Sequence, residues 1–144
     1  LCLGNSLPHL LSEEDLVAAL GDIYTLLRPG GVFVTQNLNF DKVCREKNRF
    51  MPLSTWRAKG REGLFFRFRD FQDDLIVFNV VSMTKEKGQW SYRVSSTRWR
   101  PIFRSDLERL LLHAGFQRLS FYSDYQWHPW EPEHASDLIV IATR

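Results

Sequence analysis

Leu16, Leu20, Ile23 and Leu27 recur at helical spacing and fall on one face of a helix. Ser12 marks the start of that helix, because its hydroxyl can accept a free backbone N–H of the first turn. Glu13, Glu14 and Asp15 follow at the positive end of the helix dipole. Arg28-Pro29-Gly30-Gly31 stops it, since Pro cannot continue a helix and Gly takes the left-handed conformation of the turn. Val32-Phe33-Val34-Thr35 then reads as a short buried strand. The opening Leu1-Cys2-Leu3-Gly4-Asn5-Ser6 reads as the tail of another buried strand running into a glycine turn. Tail, helix and strand predict one right-handed crossover of a parallel sheet.

The pattern then changes period. Residues 41–53 are polar and irregular, with Lys42, Arg45, Lys47 and Arg49 in a positive run, and predict a loop or short helix. Residues 64–71 alternate, placing Leu64, Phe66 and Phe68 on one face and Phe65, Arg67 and Arg69 on the other. Turns at Gln72-Asp73-Asp74 and Lys87-Gly88 lead into 75–83 and 90–99, which predicts a three-stranded antiparallel meander. Helical spacing returns with Leu107, Leu110, Leu111 and Ala114. Ser105 and Glu108 have capping-box spacing at the start of this helix, and Gly115 closes it. Residues 119–122 and 138–142 are the final strands, separated by an aromatic, Pro-containing loop over 124–133. No internal repeat or low-complexity tract interrupts the pattern.

Composition narrows the class. The 144 residues are 44% hydrophobic, enough for one core, and the net charge of +2 creates no demand for nucleic acid or an anionic membrane. The two cysteines, Cys2 and Cys44, lack metal-ligand or disulfide spacing, so reduced thiols and a cytoplasmic location are expected. No apolar stretch approaches a membrane span, and no membrane partner is expected. The chain opens inside a strand without an initiator Met, which reads as the second half of a larger, truncated domain.

Cys2-Leu3-Gly4-Asn5-Ser6-Leu7-Pro8-His9-Leu10, then Leu27-Arg28-Pro29-Gly30-Gly31, then Asn37-Leu38-Asn39-Phe40-Asp41 carry a resemblance. In these segments the chain resembles class I S-adenosylmethionine-dependent methyltransferases, most closely the glycine N-methyltransferase-like branch. The resemblance implies an α/β fold, the C-terminal half of a Rossmann-like class I methyltransferase domain. Its mixed sheet would have an antiparallel last strand. Residues 1–40 and 101–144 would form the Rossmann-like core, with 41–100 an inserted acceptor-side loop and antiparallel meander. It implies S-adenosylmethionine as cofactor and a small-molecule acceptor, with methyl transfer by in-line displacement and no obligatory base, so no catalytic residue is assigned. The family's glycine-rich loop and ribose-binding acid match no residues here, and the chain alone is expected to be inactive.

Residue by residue, the resemblance places Leu3, Gly4, Asn5 and Ser6 against the cofactor near its reactive end, at the carboxyl end of a parallel strand where such sheets bind ligands. A plain Gly-Asn turn is the alternative. His9 follows, either facing the transferred methyl group or hydrogen-bonded for structure at a helix entry. Asn37 and Asn39 are expected on the acceptor side with the meander. Asp124 and Tyr125 lie where the family often places acceptor-binding groups, and Trp127, His128 and Trp130 continue that loop; the alternative is that these residues are rim aromatics covering the sheet end. Where the glycine methyltransferases carry an arginine that clamps the substrate carboxylate, this chain has Leu38, which cannot form a bidentate carboxylate contact. Glycine and sarcosine are therefore disfavoured as acceptors.

Other classes are weaker. His128, Glu131, Glu133 and His134 are interrupted by Pro129 and Pro132, and no metal is expected. Arg67, Arg69, Arg93, Arg98 and Arg100 interleave with Phe65, Trp90, Tyr92 and Trp99, the composition of a single-strand nucleic-acid surface, yet no RNA-binding signature accompanies them. A noncatalytic scaffold derived from the methyltransferase fold is a third reading. The strand ending at Leu3 would be central in the complete sheet, so its outer edge is expected to drive self-association.

Overall fold

The computed structural model describes residues 1–58 and 60–144. In chain order the elements are a 3-10 turn Leu7–His9, α1 Glu13–Leu26, β1 Val32–Leu38, α2 Phe40–Glu46, β2 Ser54–Ala58, β3 Arg61–Gln72, β4 Leu75–Glu86, β5 Gln89–Trp99, α3 Arg104–His113, β6 Arg118–Tyr122 and β7 Asp137–Thr143. They fall into two compact units, Leu1–Glu46 with Arg100–Arg144, and Lys47–Trp99. No described helix is long and apolar enough to cross a membrane.

The first unit is a three-stranded sheet in the order β1-β7-β6 with both ladders antiparallel. Cys2 adds an isolated parallel bridge to Thr35 in β1, the one parallel pairing among the described residues. Leu16 and Leu20 of α1, Leu107, Leu110 and Leu111 of α3, and Leu138 and Val140 of β7 share one buried cluster, in which Phe33 and Phe116 lie 5.9 Å apart. Ser12 caps α1 as its sequence predicts, its Oγ accepting the Asp15 N–H at 3.1 Å.

The start of α3 departs from the predicted capping box. The helix begins at Arg104 with Phe103 at the N-cap and no side-chain cap from its own sequence. Asp41, from α2, supplies the acceptor instead, with Oδ2 taking the Arg104 N–H at 3.0 Å. Glu108 is held by the Arg104 guanidinium at 2.8 Å, one helical turn back. A carboxylate from another element has replaced the local cap, with the same physical effect of satisfying an orphan N–H.

The second unit is a four-stranded antiparallel sheet in the order β2-β3-β4-β5, one strand more than the predicted meander. Lys87 and Gly88 have φ of 50° and 82°, the paired left-handed geometry that matches the twist of a two-residue hairpin. Buried Asn79 ties three strands together, donating to Asp70 Oδ2 at 2.9 Å and accepting from Ser96 Oγ at 2.6 Å.

In the first unit β7 runs against both of its neighbours, so β1 and β6 are parallel to each other. Their carboxyl ends, the amino end of β7 and the residues after Cys2 therefore gather at one end of the sheet.

Candidate active site

At that end the chain leaves the Cys2 bridge through two consecutive left-handed residues, Gly4 at φ 73° and Asn5 at φ 60°. Glycine adopts this conformation freely and asparagine more readily than most residues, which accounts for both identities. Cys2 N–H donates to Val34 O at 2.8 Å, Gln36 N–H to Cys2 O at 3.0 Å and Asn5 N–H to Gln36 O at 3.2 Å, so the turn is bonded to β1 along its length. Ser6 Oγ closes it by donating to Leu3 O at 2.7 Å. A Cβ placed on Gly4 would meet nothing within 4 Å, so the backbone there borders open space.

Asn5 is 8% exposed and its amide is oriented by the Leu38 N–H, which donates to Oδ1 at 3.0 Å. Its Nδ2 is buried and has no hydrogen-bond partner. Buried donors are nearly always paired, which makes this one an exception among the described residues. The open space at Gly4 and the waiting donor on Asn5 fit a polar ligand lying against the turn.

Gln36 joins this turn to the other half of the sheet end. Its Oε1 accepts the Gly4 N–H at 2.8 Å, and its Nε2 donates to Asp137 Oδ1 at 2.8 Å. Asp137 in turn lines a cleft of about 470 Å³ with Ser123, Asp124, His128, Glu131 and His134. Here Asp124 Oδ2 lies 2.7 Å from His128 Nδ1. The hydrogen bond from His128 holds the Asp124 carboxyl below its ordinary range, and the same bond together with the Asp124 charge raises the His128 imidazole above 6.5.

The remaining candidates divide. Tyr125 is 54% exposed beside Asp124, and His9 is exposed on the 3-10 turn. Asn37 is fully buried, with Nδ2 at 3.4 Å from Thr35 Oγ1 and Oδ1 without a partner. Asn39 has both amide hydrogens engaged, by Pro132 O at 3.0 Å and Ala135 O at 3.1 Å, while its Oδ1 takes the Lys42 N–H at 3.1 Å. It thus pins the 132–135 loop to the start of α2. Among the described residues no group of three His, Cys, Asp or Glu could hold a metal ion. Gln36 and Asp137 were not singled out by their sequence. The available signal was a glutamine buried in a strand, which calls for a partner.

No family model matches the chain. The chain does have curated sequence relatives. It is 28% identical over 126 residues to the glycine/sarcosine/dimethylglycine N-methyltransferase of Actinopolyspora halophila, covering 88% of this chain and 20% of that protein. Identity to the glycine/sarcosine N-methyltransferase of Aphanothece halophytica is 28% over 135 residues, 92% of this chain and 47% of that protein. In three dimensions the chain superposes on an S-adenosylmethionine-dependent methyltransferase from Clostridium acetobutylicum with a TM-score of 0.80 at 15% identity, over 99% of this chain and 56% of that one. An amino pentose methyltransferase from Micromonospora echinaspora gives a TM-score of 0.76 at 16% identity, over 99% and 56%. The chain is related to the class I S-adenosylmethionine-dependent methyltransferases. Within that class its sequence relatives are glycine/sarcosine N-methyltransferases, of whose length it spans about half or less.

Proposed function

We propose that this chain forms part of an S-adenosylmethionine-dependent methyltransferase acting on a small-molecule acceptor other than glycine or sarcosine. The observation that carries the proposal is the Gly4-Asn5 turn: two left-handed residues at the carboxyl end of a parallel pairing, open space over Gly4, and a buried Asn5 Nδ2 without a partner. Leu3, Gly4, Asn5 and Ser6 would line the cofactor side, with His9 beyond the turn. Bound S-adenosylmethionine supplies an electrophilic methyl group. The turn presents backbone and one amide donor, while Asp124, Tyr125 and the cleft at Asp137 receive the acceptor. Asn37 lies buried in the same sheet end, and Asn39 holds one wall of that cleft through the 132–135 loop. Alignment and exclusion of water carry most of the acceleration in such a displacement. Leu38 gives the acceptor no cationic clamp, which favours an amine or hydroxyl compound without an α-carboxylate.

Methyl-labelled S-adenosylmethionine and a panel of small amines, amino sugars, alcohols and amino acids, incubated with the natural protein carrying these residues, test the proposal. Transfer to an acceptor lacking an α-carboxylate supports it. Absence of transfer to every acceptor, or a preference for glycine, overturns it. The 144 residues by themselves are expected to give no turnover.

A further inference from the structure

We propose that Asp124 and His128 form a proton-accepting dyad for the acceptor, with Asp124 holding the imidazole and His128 Nε2 taking the proton released on methylation. This rests on the methyltransferase reading above and adds to it a group with a defined chemical task.

The geometry is that of an oriented base. An ionised carboxylate only accepts hydrogen bonds, so the 2.7 Å contact between Asp124 Oδ2 and His128 Nδ1 places a proton on Nδ1. That leaves Nε2 as the basic atom, with no partner among the described residues. Asp124 is itself fixed, its Oδ1 accepting the Gln126 N–H at 2.9 Å and lying 3.4 Å from the His128 N.

Three hydrogen bonds through Ser123 brace the loop that carries the pair. Ser123 N–H donates to His128 O at 2.9 Å, Ser123 Oγ donates to Pro129 O at 2.9 Å, and Glu131 N–H donates to Ser123 Oγ at 2.9 Å. Trp127 is held at φ 65°, a conformation costly for a bulky side chain, with its ring edge-on to Tyr122 at 5.2 Å. Strain and bracing converge on the turn that presents His128.

Placement supplies the second half. The dyad lines the same cleft as Asp137, and Asp137 is two hydrogen bonds from the Gly4 N–H through Gln36. The other titratable groups lining this cleft are Glu131, His134 and Asp137. Glu131 adds negative charge that further favours the protonated imidazole. Around them, Glu133 is paired with Arg45 at 3.0 Å, and Lys42 Nζ donates to the His134 carbonyl at 3.3 Å.

The step balances. The acceptor's nitrogen or oxygen lone pair forms the new bond to the methyl carbon while the carbon–sulfur bond breaks and its electron pair stays on sulfur, leaving a neutral thioether. The hydrogen on the attacking atom passes to His128 Nε2, and the resulting imidazolium is stabilised by the Asp124 carboxylate until solvent removes the proton. General-base assistance of this kind contributes about 10²- to 10⁴-fold.

The test uses the natural protein and its His128→Gln and Asp124→Asn variants, with two readouts. Imidazole nitrogen NMR without any ligand is expected to find the Nδ1–H tautomer and a His128 pKa above 6.5 that falls in Asp124→Asn. In methyl transfer, His128→Gln is expected to lower kcat by about 100-fold or more while donor affinity is retained, and to abolish the acidic limb of the pH profile. Asp124→Asn is expected to move that limb to lower pH. An Nε2–H tautomer, a pKa indifferent to Asp124, or a His128→Gln enzyme with wild-type kcat and pH profile would overturn the dyad while leaving the methyltransferase reading intact. A loss confined to acceptor KM would also overturn it, as binding without proton transfer. A wild-type protein that neither binds donor nor transfers methyl would overturn both.

Discussion

The Leu38 N–H donates to Asn5 Oδ1 at 3.0 Å, so a strand backbone decides which way a turn amide points. With Oδ1 committed, Nδ2 is the group left for a ligand, and it is buried. The two residues thus tie the turn after Cys2 to the last residue of β1.

Asn5→Leu removes that amide. It leaves the Leu38 N–H without its acceptor and is expected to cost about 1–3 kcal/mol of stability, with a comparable loss of S-adenosylmethionine affinity. Urea unfolding and calorimetric titration of the folded variant measure the two effects separately. Unchanged donor affinity in a folded variant would assign Asn5 to the turn alone.

Gln36→Leu strips the Gly4 N–H of its acceptor and Asp137 Oδ1 of its donor at the same time. The expected destabilisation is about 1–3 kcal/mol, read from urea midpoints. A variant as stable as wild type would show that water replaces the glutamine at no cost.

Elements whose signals are local were legible in the sequence. The Ser12 cap, the Leu16 and Leu20 stripe, the Lys87-Gly88 turn and the resemblance carried by the Gly4-Asn5 segment all lie within a few residues of what they determine. The strand Ser54–Ala58 was not legible, because it is a short edge segment with weak alternation whose pairing to β3 comes from its neighbour. The capping box at Ser105 was overridden by Asp41, 63 positions away. Gln36 and Asp137 are 101 positions apart, and no local pattern encodes their contact. The turn after Cys2 and the loop after β6 were therefore readable as local features, and the side chain joining them was not.

Glu13 receives Arg109 at 2.9 Å and Arg100 at 3.1 Å, and the Arg109 hydrogen bond is the main reason its carboxyl titrates below 4.5. A depressed folded-state value means that the pairing stabilises the fold above 4.5 and ceases to do so as pH falls through the lowered value. The Tm difference between wild type and Glu13→Gln should therefore be largest above pH 4.5, shrink on acidification, and be reduced in about 1 M salt because the groups are exposed. A difference independent of pH would contradict the pairing.

The Cys2 segment is bonded to β1 on one side, and Leu1 and Leu3 beside it are 88% and 39% exposed. An unpaired strand edge with apolar neighbours invites pairing. The isolated 144-residue chain is expected to self-associate through this edge, seen by light scattering over a dilution series. A strictly monomeric, folded species at high concentration would refute that.

The central claim is that the Gly4-Asn5 turn belongs to a methyl-donor site, and calorimetric titration of S-adenosylmethionine into the natural protein tests it most directly. Saturable binding, weakened at least tenfold by Asn5→Leu and by Gly4→Val in folded protein, is the predicted result, since a β-branched side chain both strains the left-handed backbone and fills the open space over it. Absence of binding by wild type, or binding indifferent to both substitutions, would contradict the account.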